Sequence, residues 1–333
     1  MPEFRQNLAT KEWVIISPER GKRPSDFKED KEDKEPVLPF DENCPFCPGN
    51  ESETPSDVYR FPREGNWQVR AVPNKFAALK PDLATTRTNV GSFLAAKGFG
   101  IAEVLIESPK HDHHPALMSI EEVSEILKAY RLRHEEITKT SDINLITIFR
   151  NHGAKAGTSL EHPHSQIIAT PIVPPHVRYP LEQAVQYFDN LGRCVYCDMV
   201  EEERKQKERL IIDSDNFLAF CPYAARTPFE TRIYPKRHMA VFNHITDSEI
   251  EELAWVLRNV LFKIFECLDN PDYNYIIRSA PVGEDNARFL HWYMVIIPKI
   301  TTLAGFEMGS GIYINSVPPE DSARFLRETK TDT

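Results

Sequence analysis

Apolar residues along this chain recur at two spacings, which predict strands and helices. A capping box formed by Ser119 and Glu122 starts a helix, and apolar residues from Ile120 to Tyr130 follow helical spacing. The same spacing predicts a second helix across 250–264. Apolar or alternating runs predict short strands at residues 67–72, 145–149, 217–220 and 273–277.

The predicted elements occur twice in the same order. In each half a histidine before the long helix is followed by a histidine after the next strand. These two histidines are 51 residues apart in the first half (111 to 162) and 53 in the second (238 to 291). Matching order and gaps predict an α+β fold of two homologous halves, each an antiparallel-rich sheet with packed helices. We place the halves at residues 1–178 and 179–333, and expect their sheets to join into one scaffold.

Each half contains a C-x2-C pair, which is half of a tetrahedral zinc site that histidines often complete. In the first half we choose His111 over His113 and His114, because its place after Ser-Pro-Lys parallels that of His238 after Pro-Lys-Arg. The absence of carboxylates favours closed, structural zinc sites, although cysteines that merely pack in the interior are the alternative. The two predicted ligand sets are Cys44, Cys47, His111 and His162, and Cys194, Cys197, His238 and His291.

Composition narrows the class of protein. Of 333 residues, 41% are hydrophobic and 27% charged, as in ordinary soluble proteins, and the net charge of -10 argues against a general nucleic-acid binder. No run approaches the roughly 20 apolar residues that span a bilayer, and the N-terminus has no apolar signal region, so we expect a cytoplasmic protein without a membrane partner. Cys221 and Cys267 lie in apolar settings and are predicted core residues.

His164 is the candidate catalytic residue. It lies two positions after the predicted ligand His162, and Gln166 lies two positions further, so on a strand all three side chains share one face. The preceding segment 151–159 is polar and rich in small residues, which lets amides and hydroxyls approach a phosphate. A presented imidazole suits nucleophilic catalysis, whereas the plainer alternative is a buried core histidine.

A basic cluster near the N-terminus has two interpretations. Arg20, Lys22 and Arg23 can complement the charge of a nucleotide phosphate, or they can form a solvated surface turn. The net negative charge of the chain is compatible with the first, because a local cluster can be basic inside an acidic whole.

Together these residues resemble the galactose-1-phosphate uridylyltransferase family, the nucleotidyl-transferring branch of the histidine-triad superfamily. The likeness covers nearly the whole chain and rests most strongly on His162-Pro163-His164-x-Gln166 after the 151–159 loop. The resemblance implies that His164 is the nucleophile and Gln166 its catalytic partner. It implies substrate contacts by eight further residues: Arg20, Arg23, Asn74, Asn151, Thr158, Ser159, Phe306 and Glu307.

The resemblance also implies a reaction by double displacement. His164 would attack the α-phosphorus of UDP-glucose, release a sugar 1-phosphate, and pass UMP from a nucleotidyl-histidine to galactose 1-phosphate. It further implies two structural Zn²⁺ ions, no redox cofactor, and a homodimer whose active sites borrow residues from the partner subunit.

Two departures keep other interpretations open. Ser165 stands where the uridylyltransferases usually have Gly, and a His-Ser-Gln ending also occurs in ADP-glucose phosphorylase-like relatives; Phe306 replaces a usual Tyr. An ADP-sugar phosphorylase or adenylyltransferase that uses His164 is therefore the main alternative. A hydrolase of dinucleoside polyphosphates is a weaker one, and a zinc-stabilised nucleotide-binding module without catalysis is a fourth.

Overall fold

The computed structural model describes residues 1–20 and 37–330. Up to residue 191 the chain contains β1 (Glu3–Gln6), β2 (Trp13–Ile16), β3 (Tyr59–Phe61), β4 (Val69–Pro73), β5 (Arg87–Val90), β6 (Phe93–Ala96), β7 (Ile101–Ile106), α1 (Ile120–Thr138), β8 (Leu145–His152), β9 (His164–Thr170) and α2 (Pro175–Leu191). The rest of the chain contains α3 (Val195–Gln206), β10 (Leu210–Asp213), β11 (Phe217–Phe220), β12 (Thr231–Pro235), α4 (Asp247–Leu268), β13 (Tyr273–Arg278), β14 (Tyr293–Pro298), α5 (Gly305–Ser310), β15 (Tyr313–Asn315) and α6 (Pro319–Glu328).

One ten-stranded sheet carries both halves. Its strand order is β10-β11-β12-β14-β13-β8-β9-β7-β4-β3. Counted from the centre outward, the first half contributes β8-β9-β7-β4-β3 and the second half contributes the corresponding strands β13-β14-β12-β11-β10 in the same order. The halves join where β13 pairs antiparallel with β8, with Asn274 opposite Asn151. The predicted α+β fold of two related halves with antiparallel sheets is therefore confirmed, and the sheets are continuous. The boundary at 178/179 falls inside α2 and stays a prediction.

The core lies between this sheet and the two long helices. Helices α1 and α4 pack against each other on one face of the sheet. Both begin with a complete capping box, at Ser119 with Glu122 and at Thr246 with Glu249, which satisfies amides that would otherwise lack partners. Apolar side chains of α4 such as Leu253 are fully buried, and each such burial contributes roughly 1.5–3 kcal/mol. Cys221 and Cys267 are buried in this core, as predicted.

Helix α6 packs against α4 and β10, beside the same core. A small sheet of order β1-β2-β15 lies near the second half, where Ala224 packs with Val14 and Ile16. The predicted strand at 67–72 begins two residues later, at Val69, because Trp67 turns inward to donate a hydrogen bond to Glu51. Among the described residues, no helix is long and apolar enough to cross a bilayer.

Candidate active site and metal centres

The first predicted ligand set converges on one point. The ligand atoms of Cys44, Cys47, His111 and His162 all lie within 4.8 Å of one another, and all four residues are buried. The Cys47 Sγ lies 3.5 Å from His111 Nδ1 and 3.6 Å from His162 Nδ1, and the two Nδ1 atoms are 3.3 Å apart. The two cysteines come from a turn before β3, and His111 comes from the β7–α1 loop. His162 lies two residues before β9.

The second set repeats this arrangement. The ligand atoms of Cys194, Cys197, His238 and His291 also lie within 4.8 Å of one another. The Cys197 Sγ lies 3.3 Å from His238 Nδ1 and 3.4 Å from His291 Nδ1. The N-terminus of α3 supplies both cysteines, and the segments after β12 and before β14 supply the histidines.

Both clusters fit a tetrahedral metal ion. Zn–N bonds of about 2.0–2.1 Å and Zn–S bonds of about 2.3 Å imply N···N spacings near ~3.3 Å and S···N spacings near ~3.5 Å. The observed spacings agree with these values. The far nitrogens are fixed by backbone carbonyls, since His162 Nε2 faces Ser108 O at 2.8 Å and His291 Nε2 faces Pro235 O at 3.0 Å. Such contacts orient metal-binding imidazoles, so both clusters can hold a metal ion.

His164 opens strand β9 beside the first cluster. Its Nδ1 lies 2.8 Å from the backbone oxygen of His162. Because a carbonyl only accepts, Nδ1 carries the proton, and the lone pair of the neutral ring is on Nε2. The Phe46 ring, from the first C-x2-C turn, packs against His164 with centroids 5.5 Å apart. The metal cluster thus fixes both the backbone and the aromatic neighbour that orient this imidazole.

The surroundings of His164 favour its neutral form. Burial lowers the pKa of His164, and the charge of Arg150 lowers it further, although the hydrogen bond to His162 acts in the opposite direction. Arg150 lies on the opposite face of the sheet, where its Nε donates to Glu107 Oε2 at 2.8 Å. The hydroxyls of Tyr130 and Tyr275 donate to the other oxygen of Glu107. This buried network braces β7, β8 and the centre of the sheet behind His164.

The 153–159 loop is held by the second half of the chain. The Asp272 carboxylate accepts a hydrogen bond of 2.6 Å from the backbone N–H of Lys155. At Gly153, where φ is 82°, an added Cβ would lie 2.0 Å from Asp272 Oδ1, so only glycine allows this close approach. Thr158 is half-buried and Ser159 is exposed at the far end of the loop.

The amide of Asn151 has a defined orientation. Asn274 Nδ2 lies 2.9 Å from the carbonyl oxygen of Ala156, which can only accept, so this atom must be the amide nitrogen. The same Nδ2 lies 2.8 Å from Asn151 Oδ1, which therefore accepts. The Nδ2 donor of Asn151 is then not used by Asn274. Asn151 lies on the same face of the sheet as His164, which is on the neighbouring strand β9. Asn151 thus presents a donor on the candidate active-site face.

Other predicted residues fall into three groups. Gln166 is half-buried on the His164 face of β9, and Asn74, at the end of β4, caps its own turn by accepting from Phe76 N at 2.9 Å. Phe306 and Glu307 lie on α5, which packs against β15 of the small sheet, and Glu307 accepts from Ala304 N. Arg20 ends a short 3₁₀ helix, and Arg23 lies outside the described residues. Their substrate contacts stay predictions.

Several residues of the site were missed by the sequence reasoning. Asp272 and Asn274 come from the second half, in which no catalytic residue was predicted, and Glu107 and Arg150 lie on the opposite face of the sheet from His164. The pairing of β13 with β8 brings Asn274 to Asn151, and the duplication alone did not indicate which strands meet at the centre. The signal for these two residues was a charged side chain next to apolar strand residues, with Arg150 inside β8 and Glu107 directly after β7.

The galactose-1-phosphate uridyl transferase N-terminal domain pattern matches residues 1–174, and the corresponding C-terminal domain pattern matches residues 180–316. The chain belongs to this family. It is therefore an enzyme of a nucleotidyltransferase family that acts on nucleotide sugars and hexose phosphates.

Similar proteins within the family carry two different names. An ADP-glucose phosphorylase of Arabidopsis thaliana is 40% identical over 332 residues, which cover 98% of this chain and 93% of that protein. A galactose-1-phosphate uridylyltransferase of Thermotoga maritima is 30% identical over the full length of both chains. A crystal structure of an ADP-glucose phosphorylase from Arabidopsis thaliana with bound ADP-glucose superposes with a TM-score of 0.85, at 36% identity, and covers 99% of this chain and 100% of that one.

Proposed function

We propose that this protein transfers a nucleotidyl group from a nucleotide sugar to a phosphate acceptor through a covalent nucleotidyl-His164. The observation that carries the proposal is the 2.8 Å contact between His164 Nδ1 and His162 O. That contact leaves the lone pair on Nε2, on the face that Asn151 and Gln166 share. A strand-fixed imidazole whose Nε2 has no hydrogen-bond partner within residues 1–20 and 37–330, beside a polar loop, is suited to nucleophilic attack on phosphorus.

The reaction would proceed in two displacements. In the first, Nε2 forms a bond to the α-phosphorus, and the P–O bond to the leaving sugar 1-phosphate breaks. In the second, an oxygen of the acceptor phosphate bonds to the same phosphorus, and the P–N bond breaks to restore the imidazole. The carbonyl of His162 keeps its hydrogen bond to Nδ1–H throughout and stabilises the positive charge that the ring gains when Nε2 is bonded.

Polar groups on this face would balance the charge of the transferred phosphoryl group. Gln166 supplies an amide donor on the same strand, and Asn151 presents its Nδ2 from the adjacent strand. Thr158 and Ser159 add hydroxyls from the loop that Asp272 holds. Because phosphoryl transfer depends mainly on positioning and on charge stabilisation, these fixed donors would supply much of the rate.

For the substrates we favour ADP-glucose as donor and orthophosphate as acceptor. The 40% identity to a named ADP-glucose phosphorylase supports this choice, as does Ser165, which matches the His-Ser-Gln ending of such relatives. The exposed Phe306 lacks the hydroxyl that a hexose acceptor would contact in the uridylyltransferases. The second candidate is the predicted transfer of UMP from UDP-glucose to galactose 1-phosphate, which the acidic Glu307 favours, since this residue type binds hexose hydroxyls.

The remaining assignments belong to the same proposal. Zn²⁺ would occupy both Cys₂His₂ clusters and stabilise the fold, since neither has a carboxylate or an open position for water. A homodimer would bring α5 of one copy, with Phe306 and Glu307, to the His164 site of the other. We also keep a cytoplasmic location as part of the proposal, because free thiols and metal-binding cysteines are typical of reducing compartments.

The test is intact-protein mass spectrometry of the full chain after separate mixing with ADP-glucose and with UDP-glucose. We expect an AMP-sized adduct from ADP-glucose, none in His164→Ala, and an unchanged adduct in His244→Ala, which removes an exposed histidine elsewhere. A UMP-sized adduct confined to UDP-glucose would instead select the uridylyl candidate. If neither nucleotide sugar labels a folded protein, the covalent mechanism is wrong and a binding function takes its place.

A further inference from the structure

The second half contains a cavity, lined in part by charged side chains, that the proposed reaction does not use. Its volume is about 500 Å³, within the range of small-molecule sites. It lies on the same face of the large sheet as His164, over β12, β13 and β14, and is closed from above by α2 and the small-sheet residues Glu12 and Tyr313. A larger cavity of about 800 Å³ beside α2 contains none of the predicted site residues.

The duplication places this cavity at the position that corresponds to the active site. His164 follows the cluster ligand His162 by two residues, and Tyr293 follows the cluster ligand His291 by two. On the neighbouring strand, Arg278 pairs with Tyr293. In the first half, continuing the β8–β9 register beyond Arg150 and Ser165 places Asn151 opposite His164. Arg278 therefore stands where the first half has its proposed phosphate donor Asn151.

The aromatic frame of the active site is also repeated. Phe46 and Tyr196 occupy the same position within the two C-x2-C turns, and each packs on the residue at the corresponding strand start. The Phe46–His164 centroids are 5.5 Å apart, and the Tyr196–Tyr293 centroids are 6.0 Å apart. Val295 replaces Gln166, so the second site has neither the imidazole nor the amide. The scaffold of a ligand site is preserved, but the groups for transfer chemistry are not.

The cavity is positively charged, although the chain as a whole is negative. Four cationic side chains line it, and two of them are neutralised, because Arg226 pairs with Glu12 and Arg232 pairs with Glu230. Its other two cations, Arg278 and Lys299, form neither a hydrogen bond nor an ion pair through their side chains within 1–20 and 37–330. The Thr227 hydroxyl lines the same cavity, is buried, and has no hydrogen-bond partner in those ranges.

We propose that this cavity is a second, non-catalytic site that binds a small phosphorylated anion through Arg278, with Lys299 and Thr227 lining the same cavity and Lys299 at the other end of the β13–β14 pair. An uncompensated guanidinium is a donor that suits a phosphate group, and Lys299 and the unpaired Thr227 hydroxyl add donors within the same cavity. The ring of Tyr293, which lines the cavity and stacks on the buried Tyr234 with centroids 4.8 Å apart, offers an apolar surface for the organic part of such a ligand. The proposal does not depend on whether His164 is a nucleophile.

The first experiment measures binding stoichiometry. ADP is titrated calorimetrically into the purified full chain carrying His164→Ala, so that no turnover occurs. We expect two molecules of ADP per chain, and one when Arg278→Gln is added, with binding at the lost site at least tenfold weaker. The matched control is Arg258→Gln, which removes an arginine from α4 on the opposite face of the sheet and should leave two. Lys299→Gln is the second variant if the Arg278 change reduces thermal stability.

Competition identifies the group that is recognised. Orthophosphate and glucose 1-phosphate are each titrated in the presence of ADP. If both displace the ADP molecule whose binding depends on Arg278, the site recognises the phosphate group itself. If only one displaces it, that compound is the better model of the natural ligand. Adenosine, which has no phosphate, should not displace it. One molecule of ADP in all variants, two molecules that persist after both Arg278→Gln and Lys299→Gln, or displacement by adenosine overturns the proposal.

Discussion

Replacing Asn274 by aspartate tests whether the second half of the chain positions the active-site loop. Asn274 Nδ2 donates to Asn151 Oδ1 at 2.8 Å and to the Ala156 carbonyl at 2.9 Å. In Asn274→Asp the side chain keeps its shape, but an acceptor oxygen faces two acceptors. The Asn151 amide can restore one hydrogen bond only by rotating, and its oxygen then faces the position of the substrate phosphate.

The expected magnitude follows from these contacts. The variant loses the hydrogen bonds of Asn274 to Asn151 and to the loop residue Ala156, or only the second if the Asn151 amide rotates, and each contributes about 1 kcal/mol of net stability. A donor to a charged phosphate contributes about 1.5–3 kcal/mol, so losing the Asn151 donor should slow transfer by roughly 10- to 100-fold. The loop is a small part of the fold, so we expect the melting temperature to fall by only a few degrees.

The assay is rapid-quench mass spectrometry of the first turnover, with the nucleotide sugar that labels His164. The matched control is Asn144→Asp, because Asn144 Nδ2 donates to the Pro171 carbonyl at 2.8 Å, also beside β8 but away from the loop. We expect Asn144→Asp to form the adduct at the wild-type rate. Wild-type rates in Asn274→Asp, or equal slowing in both variants, would refute the positioning role of Asn274.

Three further predictions concern metal, pH and the loop. Removal of metal by a chelator, or Cys197→Ser, should lower the melting temperature, and metal analysis should fall from two ions per chain to one in the variant, whereas Cys221→Ser should retain both ions. Burial, aided by His244, lowers the pKa of His134 from 6.5 to about 4, so this histidine resists protonation in the native state. The free energy of unfolding measured in urea should therefore be highest above pH 6.5 and fall by up to about 3 kcal/mol towards pH 4. His134→Phe should remove this part of the loss. Gly153→Ala should displace the loop from Asp272 and slow adduct formation, and a variant that reacts at the normal rate would contradict the geometry at this position.

Local patterns predicted most of the elements and the metal clusters. Capping boxes and apolar spacing located α1 and α4, since helix ends and faces depend on nearby residues. The C-x2-C pairs with parallel histidines indicated two clusters, because ligand types and their order along a repeated chain limit the possible partners.

Contacts between the halves could not be predicted in the same way. The pairing of β8 with β13 depends on which strand edges remain open after each half folds, and no residue pattern encodes that edge directly. Asp272 and Asn274 consequently gave no signal as active-site residues, because in the sequence both are ordinary polar residues near the start of a strand.

The central strand pair also determines how the chain can be divided. Strands β8 and β13 are interior strands only because each covers the hydrogen-bonding edge of the other. A cut within 171–174, between β9 and α2, would separate β8 from β13 and β2 from β15, so each fragment would expose strand edges that are paired in the intact chain. Such fragments should be aggregation-prone when made separately and should reassemble when made together, so this enzyme is suited to split-protein complementation, with recovery of activity as the reporter of pairing.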